Sequence, residues 1–212
     1  VEAYFQGALQ RQARFVQESV SEITLPPAGG VAIRTATATH PFDKAVVATG
    51  AWSRQFATQL GDTVCLDTER GYHLSLKSNG SPVLTRPVGF PAQDCVISPM
   101  QDGIAVYSGD ELAGLHAAPD FRRIRTLLPF VHKVLPATSA QPVQREWMGY
   151  RPSTPDSLPV IGPSARTRNV IYAFGHGHLG LTLSAITAEL VKAIVNEDTP
   201  PFDLTPYRIN RF

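Results

Sequence analysis

Two apolar strand segments, Ala45–Thr49 and Asn169–Phe174, bracket a long middle stretch of different texture, and this layout constrains the fold more than any other feature. Ala45–Thr49 is almost continuously apolar. That is the pattern of a strand buried on both faces, in a parallel or mixed sheet with helices on either side. Upstream, Phe15–Leu25 and Val31–Thr37 are strand-like and separated by the PPAGG turn. Downstream, Gly50 ends the strand, and Trp52–Leu60 reads as a helix closed by Gly61. The opening residues GALQRQAR read as a short helix whose Ala8, Leu9 and Ala13, with Phe15 just after, could dock on a sheet.

The middle stretch, Val64 to Tyr150, holds short alternating runs: YHLSLK, PVLTR, CVISP and IAVYSG. Regular short strands between Gly, Pro, Asn and Asp clusters predict an antiparallel sheet. Pro119-Asp120 opens a helical stretch that Pro129 divides, so FRRIRTLL and FVHKVL are expected as two short helices. After Asn169–Phe174 comes GHGHLG, then LTLSAITAELVKAIV. With only Glu189 and Lys192 charged, that helix is expected to be deeply buried. A proline-containing tail follows.

Bulk properties narrow the function. The chain of 212 residues is 43% hydrophobic and 17% charged, with a net charge of +1. It is globular in composition, and no global field would gather nucleic acid or an anionic membrane. No apolar run reaches transmembrane length and no secretory leader opens the chain. Cys65 and Cys95 sit in apolar stretches and read as buried free thiols. Neither has a second Cys or a His at metal-ligand spacing, so no metal is expected. A cytoplasmic protein fits best, or one peripheral to the inner face of the membrane. Val1 opens in what reads as the middle of an element, as a fragment does.

Gly175-His176-Gly177-His178-Leu179-Gly180 satisfies G-x-G-x-x-G between a strand and a helix. A dinucleotide fingerprint also needs a second parallel strand, and Glu197-Asp198 lead only into Thr-Pro-Pro, so a pyrophosphate site is rejected here. Glycines still permit close backbone approach, and a helix N-terminus offers free N–H groups and partial positive charge to an electron-rich group. A plain strand-to-helix turn is the alternative.

Three stretches in order, VVATGAWS (Val46–Ser53), GYRPSTPDSLPVIGP (Gly149–Pro163) and FGHGHLGLTLS (Phe174–Ser184), resemble one family. With RGYHL (Arg70–Leu74) between the first two, they look like the FAD-dependent D-amino-acid oxidase/dehydrogenase superfamily, which includes D-amino-acid dehydrogenase, glycine oxidase and sarcosine oxidase. The likeness runs from about Gly7 onward. It implies an α/β (α+β) fold in which an incomplete FAD-binding α/β domain (1–62 and 152–212) is interrupted by an antiparallel β-sheet substrate domain with short helices (63–151). The implied function is oxidation of the C–N bond of a D-amino acid or related amine to an imine, by hydride transfer to FAD.

By the same resemblance, Gly175, His176, Gly177, His178, Leu179, Gly180, Leu181 and Thr182 lie against the flavin, with a helix beginning near Leu179 facing its pyrimidine end. Val20 meets the adenine side. Ala48, Thr49, Gly50 and Trp52 line the cofactor channel, and Gly162 belongs to the same set. Arg151 is the implied carboxylate anchor, since a guanidinium binds a carboxylate bidentately and stays charged; a simple pairing with Asp156 is the alternative. Tyr72 and His176 are the further substrate candidates, each set against ordinary packing. His73 is read as structural, and Arg122, Arg123 and Arg125 as a solvated helix face. No acid–base catalytic residue is required, because the flavin supplies the redox chemistry. The family's N-terminal pyrophosphate-binding G-x-G-x-x-G is absent from these residues. Weak or no FAD binding by the chain alone is therefore expected, with an N-terminal half or another subunit as partner. Two other readings stay open: a non-catalytic binding module, and an oxidase of secondary amines such as proline derivatives or sarcosine.

Overall fold

In a computed structural model the described residues are 1–77, 84–101, 103–138 and 142–212. The chain opens with α1 (Glu2–Gln10), followed by β1 (Val20–Thr24), β2 (Val31–Thr35), β3 (Thr39–Phe42) and β4 (Ala45–Val47). A single 3-10 turn at Gly50–Trp52 leads into α2 (Ser53–Gln59). Then come β5 (Asp67–Lys77), β6 (Val88–Phe90), β7 (Cys95–Met100), β8 (Gly103–Leu112), α3 (Arg122–Arg125), α4 (Leu128–Val134) and β9 (Val143–Ser153). The chain closes with β10 (Val160–Pro163), β11 (Val170–Phe174) and α5 (Ser184–Asn196).

These strands build three sheets: β1-β2-β3, β10-β11-β4 and β6-β7-β8-β5-β9. The fold is mixed α/β, with a parallel pairing of β11 to β4 and antiparallel pairing elsewhere. The long strand β5 shows why the middle sheet forms. Its even-numbered residues from Thr68 to Leu76 are buried, the period of two that puts one side of a pleated strand against a core. Tyr72, Leu74 and Leu76 meet Ile97, Ile104 and Val106 from the neighbouring strands, and Ile124 of α3 and Val131 of α4 close over them. Each such fully buried aliphatic side chain contributes roughly 1.5–3 kcal/mol.

A second core joins the two ends of the chain. Val47, Phe56, Leu60 and Leu66 pack with Val160, Val170, Tyr172, Phe174 and Ile209. Within it, the Asp62 carboxylate accepts hydrogen bonds from the Tyr172 hydroxyl (2.7 Å) and the Ser164 hydroxyl (2.5 Å). Burial, then the neighbouring Asp62 carboxylate, pushes the Tyr172 hydroxyl well above its ordinary pKa. At the sheet β1-β2-β3, the Gln59 side chain of α2 acts like another strand. It accepts from the Ile23 N–H (3.1 Å) and donates to the Ser21 carbonyl (3.0 Å).

Several sequence expectations need correction. The first helix lies at Glu2–Gln10 rather than over Gly7–Arg14, and it buries no side chain; Phe5 meets Phe15 edge-on instead. Val46 is 45% exposed, so β4 is covered on one face only: it is the end strand of its sheet, and its apolar run does not report two-sided burial. Cys95 is buried but Cys65 is exposed. Of PVLTR, Pro82 and Val83 lie outside the described residues, Leu84–Arg86 form no strand, and β6 forms from Val88 onward. The two short helices expected here are present as α3 and α4; the break falls just before Pro129, which sits in the first turn of α4, where its missing N–H has no helical acceptor to lose. The last helix is not deeply buried. Of its residues only Thr187, Leu190 and Ala193 are buried, while Ile186 is 40% exposed. No helix among the described residues is long and apolar enough to cross a membrane.

Candidate active site

The middle sheet has two unequal faces. One is sealed by α3 and α4. The other carries Gly71, Tyr107, Trp147, Gly149 and Arg151, which together with Trp52, Tyr72 and Tyr150 line a cavity of about 330 Å³. Gly71 on β5 and Gly149 on β9 are cross-strand partners. A Cβ added at Gly71 would come within 2.9 Å of Arg151 Nη1, with Cζ and Nη2 closer still. At Gly149 it would come within 3.0 Å of Trp147 Cζ2, with Cζ3 and Cη2 closer still. Two glycines side by side thus let a guanidinium and an indole lie down on the sheet. A glycine inside a strand marks such close approaches. His73 stacks on Trp147 with ring centroids 5.1 Å apart, and burial, then the nearby Arg145 charge, lowers its pKa.

Arg151 is three-quarters buried, and its side chain pairs with Asp110 at the end of β8. The alternative pairing with Asp156 is not formed. Asp156 is taken by Arg211 of the tail (Nε to Oδ2 2.8 Å, Nη2 to Oδ1 2.9 Å), which holds the Asp156 carboxyl down to about 2. Beside Arg151 the side-chain ligand atoms of Glu69, Asp110 and His178 lie within 4.8 Å of one another. One guanidinium therefore sits among two carboxylates and an imidazole.

The 3-10 turn Gly177–Leu179 packs against β9. This brings the end of the G-x-G-x-x-G stretch to Arg151. Gly175 and Gly177 both have positive φ (82° and 53°), which admits the chain reversal between β11 and the turn. The α-helix itself begins at Ser184, not near Leu179, so the helix N-terminus expected at the turn lies further along, and the turn is followed by exposed Leu179 (53%) and Leu181 (70%). Gly180 stands in ordinary helical backbone, and Thr182 lies between the turn and α5.

The other candidates divide. Trp52 meets Tyr150 edge-on with ring centroids 5.2 Å apart, linking the start of α2 to the cavity. The Thr49 and Ser53 hydroxyls are 3.0 Å apart, and Gly50 (φ 57°) has open space where a Cβ would project; so does Gly162 on β10. Ala48 joins β4 to that turn. Val20 lies in the sheet β1-β2-β3, partly buried against the same second core as Val47, Phe56 and Tyr172. His176 turns toward α5, with Nε2 3.0 Å from the Thr187 hydroxyl, and burial lowers its pKa. Tyr72 contributes to the cavity wall, but its ring packs edge-on against Phe121 in the core and its hydroxyl donates to Glu111 (2.5 Å). Burial and that carboxylate raise its pKa.

Sequence reasoning passed over Gly71, Gly149, Trp147, Tyr107, Glu69 and Asp110. The glycines were legible, since each interrupts an alternating strand two residues from a large side chain. Asp110 and Glu69 carried no local signal. Arg70 was missed as well. It is wholly buried and donates to the carbonyls of Gly114 (2.7 Å) and Ala113 (3.3 Å), with its guanidinium over the Tyr150 ring. Arg122 and Arg123 form exposed pairs with Asp120 and Asp94. A larger cavity, about 620 Å³, lies between α2 and the start of β5 and shares only Trp52 with the first. The smaller one holds the partly buried guanidinium.

Comparison with known proteins places the chain in a family. Residues 1–194 match the family model described as FAD dependent oxidoreductase. A D-amino-acid oxidase of Bradyrhizobium diazoefficiens is 35% identical over 215 residues, covering 100% of this chain and 51% of its own length. A glycine oxidase of Bacillus subtilis is 30% identical, covering 78% of this chain and 45% of its own. The chain thus spans about half the length of the curated relatives it matches. Among solved structures, glycine oxidase from Geobacillus kaustophilus superposes with a TM-score of 0.81 at 24% identity, over 93% of this chain and 53% of that one. L-proline dehydrogenase from P. horikoshii does so with 0.82 at 19%, over 100% and 58%. At those identities the superpositions speak to the fold. The family model matched over residues 1–194 makes this chain a member of the DAO family of FAD-dependent oxidoreductases.

Proposed function

We propose that the protein oxidises the C–N bond of a D-amino acid or a related amine to an imine, with FAD as hydride acceptor, and that residues 63–151 form its substrate side. Residues 1–62 and 152–212 then belong to the FAD-binding unit. The observation that carries this reading is Arg151: a partly buried guanidinium laid on the open sheet face, between an aromatic cavity and the Gly177–Leu179 turn.

The residues present fit one end of the cofactor. Gly50 and Gly162 leave open space beside their backbones, and Leu179 and Leu181 expose apolar surface of the kind a flat ring system covers. Ala48, Thr49, Gly50, Trp52, Gly162 and the stretch Gly175–Thr182 would hold the ring and its chain, with Val20 toward the adenine. FAD, when bound, supplies the hydride acceptor. Arg151 holds the substrate carboxylate through two parallel N–H donors, and Asp110 must release the guanidinium for this to happen. The same Asp110, with Glu69, then faces the substrate's amino group. Trp52, Tyr107, Trp147 and Tyr150 exclude water and fix the α-carbon, so positioning rather than acid–base chemistry is the protein's contribution. His176 supports the turn through Thr187 more than it touches substrate.

The pyrophosphate-binding motif of the family is not among these residues, so these residues alone hold FAD weakly. The test is an absorbance spectrum of the purified chain before and after adding FAD, followed by gel filtration. A colourless protein fraction supports the reading. Flavin bands that travel with the protein stoichiometrically would refute the weak-binding part, and a D-amino-acid panel would then address the activity directly.

A further inference from the structure

The glycine pair does more than make room for Arg151. Gly71 and Gly149 face each other across β5 and β9, where partner Cα atoms are about 4.5–5.5 Å apart. The Arg151 guanidinium lies on the first and the six-membered ring of Trp147 lies on the second. Although their Cα atoms are four residues apart on one extended strand, or about 13 Å, the two side chains lean toward each other and end as neighbours. The indole stacks on His73, and Trp147 lines the cavity with 43% of its surface exposed. Tyr107, Tyr150 and Trp52 complete the walls, and Arg151 is the only charged residue lining the cavity among the described residues.

From this juxtaposition we infer that Trp147 determines specificity and that the site takes amino acids with an aromatic or large apolar side chain. The inference rests on the carboxylate role proposed for Arg151. A molecule whose carboxylate sits on Arg151 places whatever its β-carbon bears over the indole, one cross-strand spacing away. A glycine-sized substrate leaves that surface wet. A phenyl group covers it and gains both burial and an aromatic contact. Among the described residues no carboxylate lines the cavity to pair with a cationic side chain over the indole.

The test is calorimetric binding of two carboxylates of equal charge, propionate and 3-phenylpropionate, to the purified protein, with no turnover required. The expected result is a preference of about tenfold or more for 3-phenylpropionate. In Trp147→Ala that preference falls to about threefold or less. Gly149→Ala, which pushes the indole off the sheet, gives the same loss and serves if the first variant does not fold. Equal affinity for both ligands in the unaltered protein, or a preference that survives both substitutions, overturns the inference. If both ligands bind equally and Arg151→Lys weakens both, the carboxylate site stands without the aromatic one. If neither ligand binds, or if Arg151→Lys changes the affinity for neither, the carboxylate role itself fails.

Discussion

Gly71→Ala separates folding from function at this site. Gly71 has no positive φ, so alanine is acceptable to its backbone. What the new methyl meets is the Arg151 guanidinium: Nη1 at 2.9 Å and two further atoms closer, against the roughly 3.4 Å at which ordinary contact begins. These atoms are the far end of a flexible side chain and can swing away at small cost to the fold. They cannot swing away and still offer two parallel donors over Gly71. Losing a charge-assisted bidentate contact costs about 2 kcal/mol, or roughly thirtyfold in Kd. A 1 Å misplacement of a reacting group can cost ~100-fold in turnover. The assay is calorimetric binding of a simple carboxylate, beside thermal melts of both proteins. The expected outcome is a melting temperature within about 2 °C of the parent and carboxylate affinity at least tenfold weaker. Unchanged affinity at unchanged stability would show that the guanidinium position over Gly71 is irrelevant to binding. A collapse in stability would show that Gly71 serves the sheet rather than the site.

Other consequences follow from the second core and the tail. Asp62→Ala strands the buried hydroxyls of Tyr172 and Ser164, and denaturant unfolding should show a loss of about 3 kcal/mol; a loss below ~1 kcal/mol would refute the network's importance. Asp156 is held from 3.8 down to about 2 by Arg211. Because the folded-state value lies below the unfolded one, the stabilisation is full above pH 3.8 and is lost as pH falls through about 2. With its side chain 33% exposed, screening reduces the contribution to about 1 kcal/mol. Arg211→Ala should therefore cost about 1 kcal/mol more at pH 7 than well below pH 2, on top of a pH-independent loss of its bonds to the Leu158, Pro159 and Arg208 carbonyls, read from urea midpoints; an equal deficit at both would contradict the linkage.

The division of the chain was readable because hydrophobic period changes along it. Period two from Thr68 to Leu76, set against the unbroken apolar run of Val170–Phe174, distinguishes a sheet covered on one side from a strand inside a core. Arg151 was readable only through its G-x-R-P setting, and the glycine-rich turn through its own composition. Burial of α5 and of β4 was misjudged for one reason. Apolar composition states that a face can be buried, while the neighbouring elements decide whether it is, and Val46 and Ile186 remain exposed.

The sequence by itself determined the element types, the antiparallel middle and the residues able to grip a carboxylate. Those follow from local periodicity, turn chemistry and side-chain charge, which act over a few neighbouring residues. Only the tertiary structure decided which groups meet. Asp110 reached Arg151 across 41 positions of chain, His178 came to Glu69 from the far end, and Trp147 was laid beside the guanidinium by two glycines paired between strands. Strand register and side-chain lean set those encounters, and they are long-range properties that no local pattern encodes.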